Sequence, residues 1–247
     1  MIHFLLPVFN EVGSVEGMVA AIRETVEPLG LPTRVLFVDD GSTDGTAQAC
    51  SNASTPSQPV EVLSHQRNLG PGAAFRTGLL RILEDADASD LVVTMEGDLT
   101  SDPRVLLRMV HRAWQEGDHI VLASCYLYGG GIKHTNIHRI GLSHIANGLV
   151  KKTLGLSGLS TLSSFYRVYQ VRALQLLHEH YGSHFISTHG FESMVEILYR
   201  SARLGLRISE VPMVLDGSRR IGGSKMRIVR TSLGYLRLSA RGLLGRL

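Results

Sequence analysis

Arg34-Val35-Leu36-Phe37-Val38-Asp39-Asp40-Gly41-Ser42-Thr43-Asp44-Gly45-Thr46 joins a strand, an acidic strand end and the start of a helix in one short stretch. The β-branched apolar run reads as a buried strand. It ends on adjacent carboxylates, and Asp44-Gly45-Thr46 then reads as a turn opening a helix, with Ser42 and Asp44 satisfying backbone N–H groups. The same succession occurs upstream, where Ile2–Phe9 precedes Asn10 and Glu11. Ser14 can cap a helix there whose residues Val15, Met18, Val19, Ile22 and Val26 share one face before Pro28 and Gly30 stop it. Further apolar runs follow at Val60–Leu63, Leu91–Met95 and Ile120–Ala123. Strands alternating with helices predict an α/β fold, a mostly parallel central sheet flanked by helices on both sides.

After about residue 125 the pattern changes. Gly129-Gly130-Gly131 opens a loop, and Ile132–Leu154 reads as a long basic amphipathic helix. Helical patterns continue through Arg172–His180 and Phe191–Leu204, and Arg207–Val214 reads as a late strand. No linker or repeat divides the chain, so residues 1–125 and 126–247 are expected to be two halves of one continuous domain.

The 247 residues carry 25 Lys and Arg against 22 Asp and Glu, with 44% hydrophobic residues, which excludes a disordered chain. The net charge of +3 hides an asymmetry: the last 31 residues hold eight of the basic residues and no acid. Such a tail suits phosphate groups or an anionic membrane surface, and without aromatic interleaving it does not make a nucleic-acid binder. Its Val229, Leu233, Leu236, Leu243 and Leu244 can lie in a membrane interface, pack on the sheet or form a contact between two copies. Cys50 and Cys125 stand far apart without ligand spacing, as expected in a reducing, cytoplasmic setting. No stretch approaches the ~20 apolar residues that cross a bilayer, so the chain reads as soluble or peripheral on the cytoplasmic face of a membrane.

In open α/β sheets, ligands sit beyond the carboxyl ends of strands. Three of these ends are polar: Pro7-Val8-Phe9-Asn10-Glu11, the Asp39–Thr46 segment, and Glu96-Gly97-Asp98-Leu99-Thr100-Ser101-Asp102-Pro103. Glu96 and Asp98, one glycine apart, can face the same point and offer hard oxygen ligands to Mg²⁺ or Mn²⁺ shared with a diphosphate. Asp102 reads as the cap of a helix starting near Pro103. One of Asp39 and Asp40 can accept hydrogen bonds from a ribose or base. Gly70-Pro71-Gly72 opens a helix and could cradle a phosphate, but Phe75 replaces the third glycine of a dinucleotide fingerprint. Gly217–Met226 combines glycines, a hydroxyl and the cations Arg219, Arg220 and Lys225, a composition that fits phosphate.

In this order, and with Asn68-Leu69-Gly70, Ser163-Ser164-Phe165-Tyr166-Arg167 and Arg219–Met226, the motifs resemble glycosyltransferase family 2 with the GT-A fold. More narrowly they resemble its dolichol-phosphate mannose synthase-like branch, over nearly the whole chain. The resemblance implies a metal-dependent inverting transfer of a sugar from a nucleoside-diphosphate donor, of GDP-mannose or UDP-hexose type, to a polyprenyl or dolichyl phosphate. It implies that Pro7, Phe9, Glu11 and Asp40, with Asp39 beside it, hold the nucleotide and that Glu96 and Asp98 hold the metal. Arg220, Ser224 and Lys225 would close over phosphate, and Arg167 would face the acceptor phosphate. Two departures stand out: Glu96 replaces the usual Asp, and Thr161 stands where an acid is common.

A phosphate acceptor is already anionic and needs no base, whereas a hydroxyl on a soluble acceptor would need one, with Glu192 and His189 as candidates. Their plain reading is a helix N-terminus with an acid in its first turn. A non-catalytic nucleotide-sugar-binding module is the remaining alternative. A nucleotidyltransferase would carry a glycine-rich, Arg-containing loop where Pro7–Glu11 stands.

Overall fold

The computed structural model describes residues 1–98, 100–134, 148, 150–219, 228–245 and 247. Its strands are β1 (Ile2–Val8), β2 (Thr33–Asp39), β3 (Val60–Ser64), β4 (Leu91–Thr94), β5 (Ile120–Ser124), β6 (Gly131–Lys133), β7 (Arg167–Gln170), β8 (Ile208–Pro212) and β9 (Val214–Asp216). Its longer helices are α1 (Val15–Val26), α2 (Thr46–Asn52), α3 (Pro71–Leu83), α4 (Leu106–Trp114), α5 (Val171–Tyr181), α6 (Ser193–Arg203) and α7 (Ile228–Leu243).

Among the described residues, seven strands form one sheet in the order β3-β2-β1-β4-β7-β5-β8. Strand β7 runs antiparallel to β4 and β5, and the other neighbours are parallel. The chain winds from β1 outward to β3 and returns to β4 on the other side of β1. This reversal opens a crevice at the carboxyl ends of β1, β2 and β4, the switch point of such sheets. The mostly parallel sheet expected from the sequence is therefore present, and the second half of the chain contributes β7 and β8 to it.

Side-chain alternation explains the two cores. Ile2, Phe4, Leu6 and Val8 of β1 join Val35 and Phe37 of β2 under α1 and α4, where Met18, Ile22, Met109 and Val110 are buried. Leu5, Leu36 and Val38 point to the opposite core, shared with Phe75 and Leu79 of α3, Leu174 and Leu177 of α5, and Ile197 and Leu198 of α6. Helix α3 lies close because Gly78 faces Leu5 and Val38, and a Cβ there would fall 2.1 Å from Leu5 Cδ1.

Three expectations change. Ile132 belongs to strand β6, paired with β9, because the glycines before it free the backbone to extend; the helix expected from Ile132 does not start there. Most of that segment, residues 135–147 and Leu149, lies outside the described residues, and residues 150–154 are helical. The late strand is two strands, β8 and β9: Met213 N still bonds Ser124 O of β5, while its carbonyl accepts from Gly131 N and β9 goes on to pair with β6. Ser14 stands at the start of α1, but its hydroxyl donates to Glu11 Oε2 at 3.2 Å instead of capping the helix.

Candidate active site at the switch crevice

The ends of β1 and β2 are stitched together by the polar residues between them. Asn10 Oδ1 accepts from Thr43 N at 2.9 Å, and Asn10 N donates to Ser42 Oγ at 2.8 Å. Glu11 N donates to Thr46 Oγ1 at 2.9 Å and Val12 N to Asp44 Oδ2 at 3.3 Å. Asn10 adopts φ 52°, the left-handed region that Asn tolerates better than most residues. Burial pushes the Asp44 carboxyl up, but hydrogen bonds from Thr46 and Val12 outweigh it and hold the group below its usual range. Ser42 and Asp44 are thus structural, as their spacing suggested. Pro7, Phe9 and Glu11 stand half-buried along this seam.

Asp39 and Asp40 are both buried. Asp39 Oδ1 accepts from Ser42 N and Ser42 Oγ. Asp40, the residue expected at the ligand, also holds a turn of the protein. Its Oδ1 accepts from Leu69 N at 2.9 Å and meets His65 Nδ1 at 2.7 Å, and its Oδ2 accepts from Gly70 N at 2.8 Å. A carboxylate so engaged ties the Asn68-Leu69-Gly70 turn to the end of β2. Gly41, at φ +78°, lies against this turn, and a Cβ there would fall 2.5 Å from the Arg67 carbonyl carbon.

The Gly70-Pro71-Gly72 cradle is occupied by the protein itself. Gly72 N donates to His189 O at 2.8 Å, and a Cβ on Gly70 would fall 2.4 Å from the same oxygen. The start of α3 therefore receives a main-chain carbonyl in place of a phosphate. Glu196 of α6, wholly buried, holds that loop: its carboxylate accepts from the N–H and hydroxyl of both Ser187 and Thr188 and pairs with Arg200 at 2.9 Å.

Glu96 and Asp98 follow β4. Gly97 between them packs on the end of β1, where a Cβ would meet Val8 Cγ1 at 3.0 Å and Pro7 O at 3.2 Å. This contact brings the acidic pair to the Pro7–Glu11 seam. Glu96 accepts from Ser101 Oγ at 2.7 Å and Phe165 N at 3.2 Å; Asp98 Oδ1 accepts from Thr100 Oγ1 at 2.7 Å and Thr100 N at 3.2 Å. Burial first, and then the Asp98 charge, raise the Glu96 pKa despite those bonds. Asp102 caps the following turn through Arg104 N at 3.1 Å, as predicted.

Arg167 does not face an open acceptor surface. Its side chain is wholly buried, and its guanidinium donates to the carbonyls of Ser164 at 2.7 Å, Leu162 at 2.7 Å and Met194 at 2.8 Å. A buried cation needs such acceptors, and here they bind β7 to α6 and shape the 162–165 segment. Phe165 on that segment stacks on Phe191, centroids 5.3 Å apart, and meets Phe75 edge-on. Thr161 takes no acidic role; Glu210 of β8 reaches across instead and accepts from Ser160 N at 2.6 Å and Thr161 N at 2.8 Å. Glu192 accepts from Gly190 N at 3.3 Å. Glu196 and Glu210 escaped the sequence reading, since lone acids within apolar patterns show no spacing signal.

Arg220, Ser224 and Lys225 lie outside the described residues, whereas Asp216–Arg219 just before them are described. Asp216 N donates to Thr100 O at 3.0 Å, and Arg219 lowers the pKa of Asp102 by its charge. The Asp216–Arg219 segment thus runs beside the Glu96–Asp98 turn. Asp216 accepts from Ser218 Oγ at 2.7 Å and pairs with His134 Nδ1 at 2.8 Å, which lower its pKa from 3.8 to about 2. A depressed carboxylate adds stability above its unfolded pKa, and this is lost as pH falls through its folded value. Asp216→Asn is therefore expected to melt below the wild type at neutral pH, the gap closing as pH drops from about 4 toward 2.

Residues 4–177 match the family described as glycosyl transferase family 2. The chain belongs to that family and is a glycosyltransferase. It is 29% identical over 222 residues to an undecaprenyl-phosphate mannosyltransferase of Micrococcus luteus, covering 90% of this chain and 86% of the relative. It is 26% identical over 244 residues to a polyprenol monophosphomannose synthase of Mycolicibacterium smegmatis, covering 98% and 87%. In fold it is similar to mannosyl-3-phosphoglycerate synthase from Rubrobacter xylanophilus, with a TM-score of 0.68, 17% identity, and coverage of 100% of this chain and 76% of that one. It is also similar to the mannosyltransferase PcManGT from Pyrobaculum calidifontis in complex with GDP-Man and Mn²⁺, at a TM-score of 0.62, 16% identity, and coverage of 97% and 64%. The fold is GT-A, as the motifs implied.

Proposed function

We propose that this glycosyltransferase moves a mannosyl or related hexosyl group from a nucleoside-diphosphate sugar to a polyprenyl phosphate. The observation that carries the reading is the Glu96–Asp98 pair at the switch crevice, held against the β1 end by Gly97 and flanked by the Asp216–Arg219 segment. The names of the two relatives supply the acceptor class.

The donor set fits a divalent cation. Burial first and then the Asp98 charge raise the Glu96 pKa, and a shared cation relieves both the desolvation and the repulsion. A site with two protein oxygen ligands suits Mg²⁺ or Mn²⁺, which keep coordination positions for phosphate oxygens. When bound, the ion neutralises charge developing on the leaving diphosphate.

The protein's own groups do the rest. Pro7, Phe9, Glu11 and Asp39 line the seam where the nucleotide would lie, with Asp40 keeping the neighbouring turn in place. Arg220, Ser224 and Lys225 would cover the diphosphate from the loop rooted at Asp216, adding cationic donors where negative charge grows. The phosphate oxygen of the acceptor attacks the anomeric carbon as the bond to the diphosphate breaks, inverting the centre in one displacement. Arg167 acts as a positioning residue through the 162–165 segment.

The donor is tested by thermal shift with GDP-mannose, GDP-glucose, UDP-glucose and UDP-galactose, each with Mn²⁺, Mg²⁺ or EDTA. One nucleotide should raise the melting temperature, and only with metal, because a ligand of the folded state stabilises it by mass action. An equal shift with EDTA would remove the metal, and no shift with any donor would favour a silent fold relative.

A further inference from the structure

Helix α7 turns three of its four leucines outward. Its inner side carries buried Thr231, Leu238 and Ser239, with Gly234 against Glu192 and Gly242 against Leu154. Its outer side carries Leu233, Leu236 and Leu243, followed just past its end by Leu244, exposed by 46%, 52%, 69% and 65%. With Ala240, also exposed, these positions recur at helical spacing and make one continuous stripe. A surface helix of a self-contained domain places its leucines on the core instead.

We propose that this face of α7 docks on an anionic bilayer surface, lying in the interface without crossing it. The charge of the segment selects that occupant. Residues 217–247 contain eight Lys and Arg and no acid, and exposed Arg237 borders the stripe. A second copy would set like charges together, whereas anionic headgroups complement them. No helix among the described residues is long and apolar enough to cross a membrane.

A second feature stands at the end of the stripe. Gly245 and Leu247 border a cavity of about 360 Å³ shared with His180, Tyr181, Tyr199 and Arg203. Tyrosines and a cation beside exposed leucines are the side chains that settle at headgroup level, and the cavity suits a lipid phosphate. Midway along α7, on its inner side, the Tyr235 hydroxyl is hydrogen-bonded to Ser163 of the segment that Arg167 shapes. Docking would therefore place the bilayer one helix away from this segment. In purpose this inference rests on the lipid-acceptor reading; its test does not.

The test is co-sedimentation of the full chain with vesicles of phosphatidylcholine alone or mixed with phosphatidylglycerol, containing no acceptor. The wild type should sediment with the mixed vesicles, less so at high salt. The triple variant Leu236→Gln/Leu243→Gln/Leu244→Gln should bind them about tenfold more weakly or worse. Arg203→Gln should weaken binding to a smaller degree. All three residues of the triple variant are exposed, so its melting temperature and its turnover on a short water-soluble polyprenyl phosphate should match the wild type. Turnover absent from both proteins would count against the glycosyl-transfer reading and leave the vesicle result intact. No sedimentation of the wild type, equal sedimentation with neutral vesicles, or a dimer dissolved by the triple variant would overturn the membrane assignment.

Discussion

Replacing Asp98 by Asn is expected to lower glycosyl transfer by about 10³-fold or more, a loss typical of removing a central electrostatic group. The melting temperature should stay within about 2 °C of the wild type, since little stability is involved. The choice of Asn matters. Asp98 Oδ1 accepts from Thr100 N and Oγ1, and an amide oxygen can keep both bonds and the turn they make. What Asn cannot supply is the negative charge beside Glu96. The variant should bind Mn²⁺ more weakly in calorimetry, because one of two carboxylates is gone. The pKa of Glu96 should also fall toward its ordinary value, because the Asp98 charge contributes to its rise. Near-normal turnover in a folded Asp98→Asn protein would remove this turn from the site.

Replacing Glu196 by Gln should cost about 3–5 kcal/mol of stability, the range for breaking a buried charge pair from one side. Glu196 has no exposed surface, and its oxygens serve four donors from Ser187 and Thr188 together with Arg200. Glutamine presents one acceptor and one donor to those groups, so at least one N–H or hydroxyl loses its partner and buried Arg200 loses its counter-charge. In a chain of this size the melting temperature should drop by about 10 °C. The loss extends to the crevice, because the same loop places the His189 carbonyl on Gly72 at the start of α3. Ser187→Ala removes one hydroxyl donor to Glu196 and a long contact from Arg241, and should cost about 1 kcal/mol. Equal melting of Glu196→Gln and the wild type would show that the loop is held by other contacts.

The alternation of strands and helices was legible because both cores read out period by period: β1 sends Ile2, Phe4, Leu6 and Val8 to one side and Leu5 to the other. The acidic strand ends were legible for a topological reason, since parallel strands joined by crossovers deliver their carboxyl ends to one edge. What remained hidden is set by long-range hydrogen bonding. Asp40 and Arg167 look like ligand-facing charges along the chain, yet each meets main-chain groups that only folding brings near. The glycines at 70 and 72 suggest a phosphate cradle until residue 189 arrives there from the other half of the chain. Strand β6 was missed because a three-residue strand carries too little pattern to compete with the helical spacing after it.

The most direct measurement is product formation from radiolabelled GDP-mannose and a polyprenyl phosphate in the presence of Mn²⁺, with the matching polyprenol and a UDP-hexose as controls. The account predicts a single lipid-linked hexosyl phosphate, formed with inversion, that disappears with EDTA and is absent when the free alcohol replaces the phosphate. Transfer to the alcohol at an equal rate, or no lipid product with any donor that binds, would contradict it.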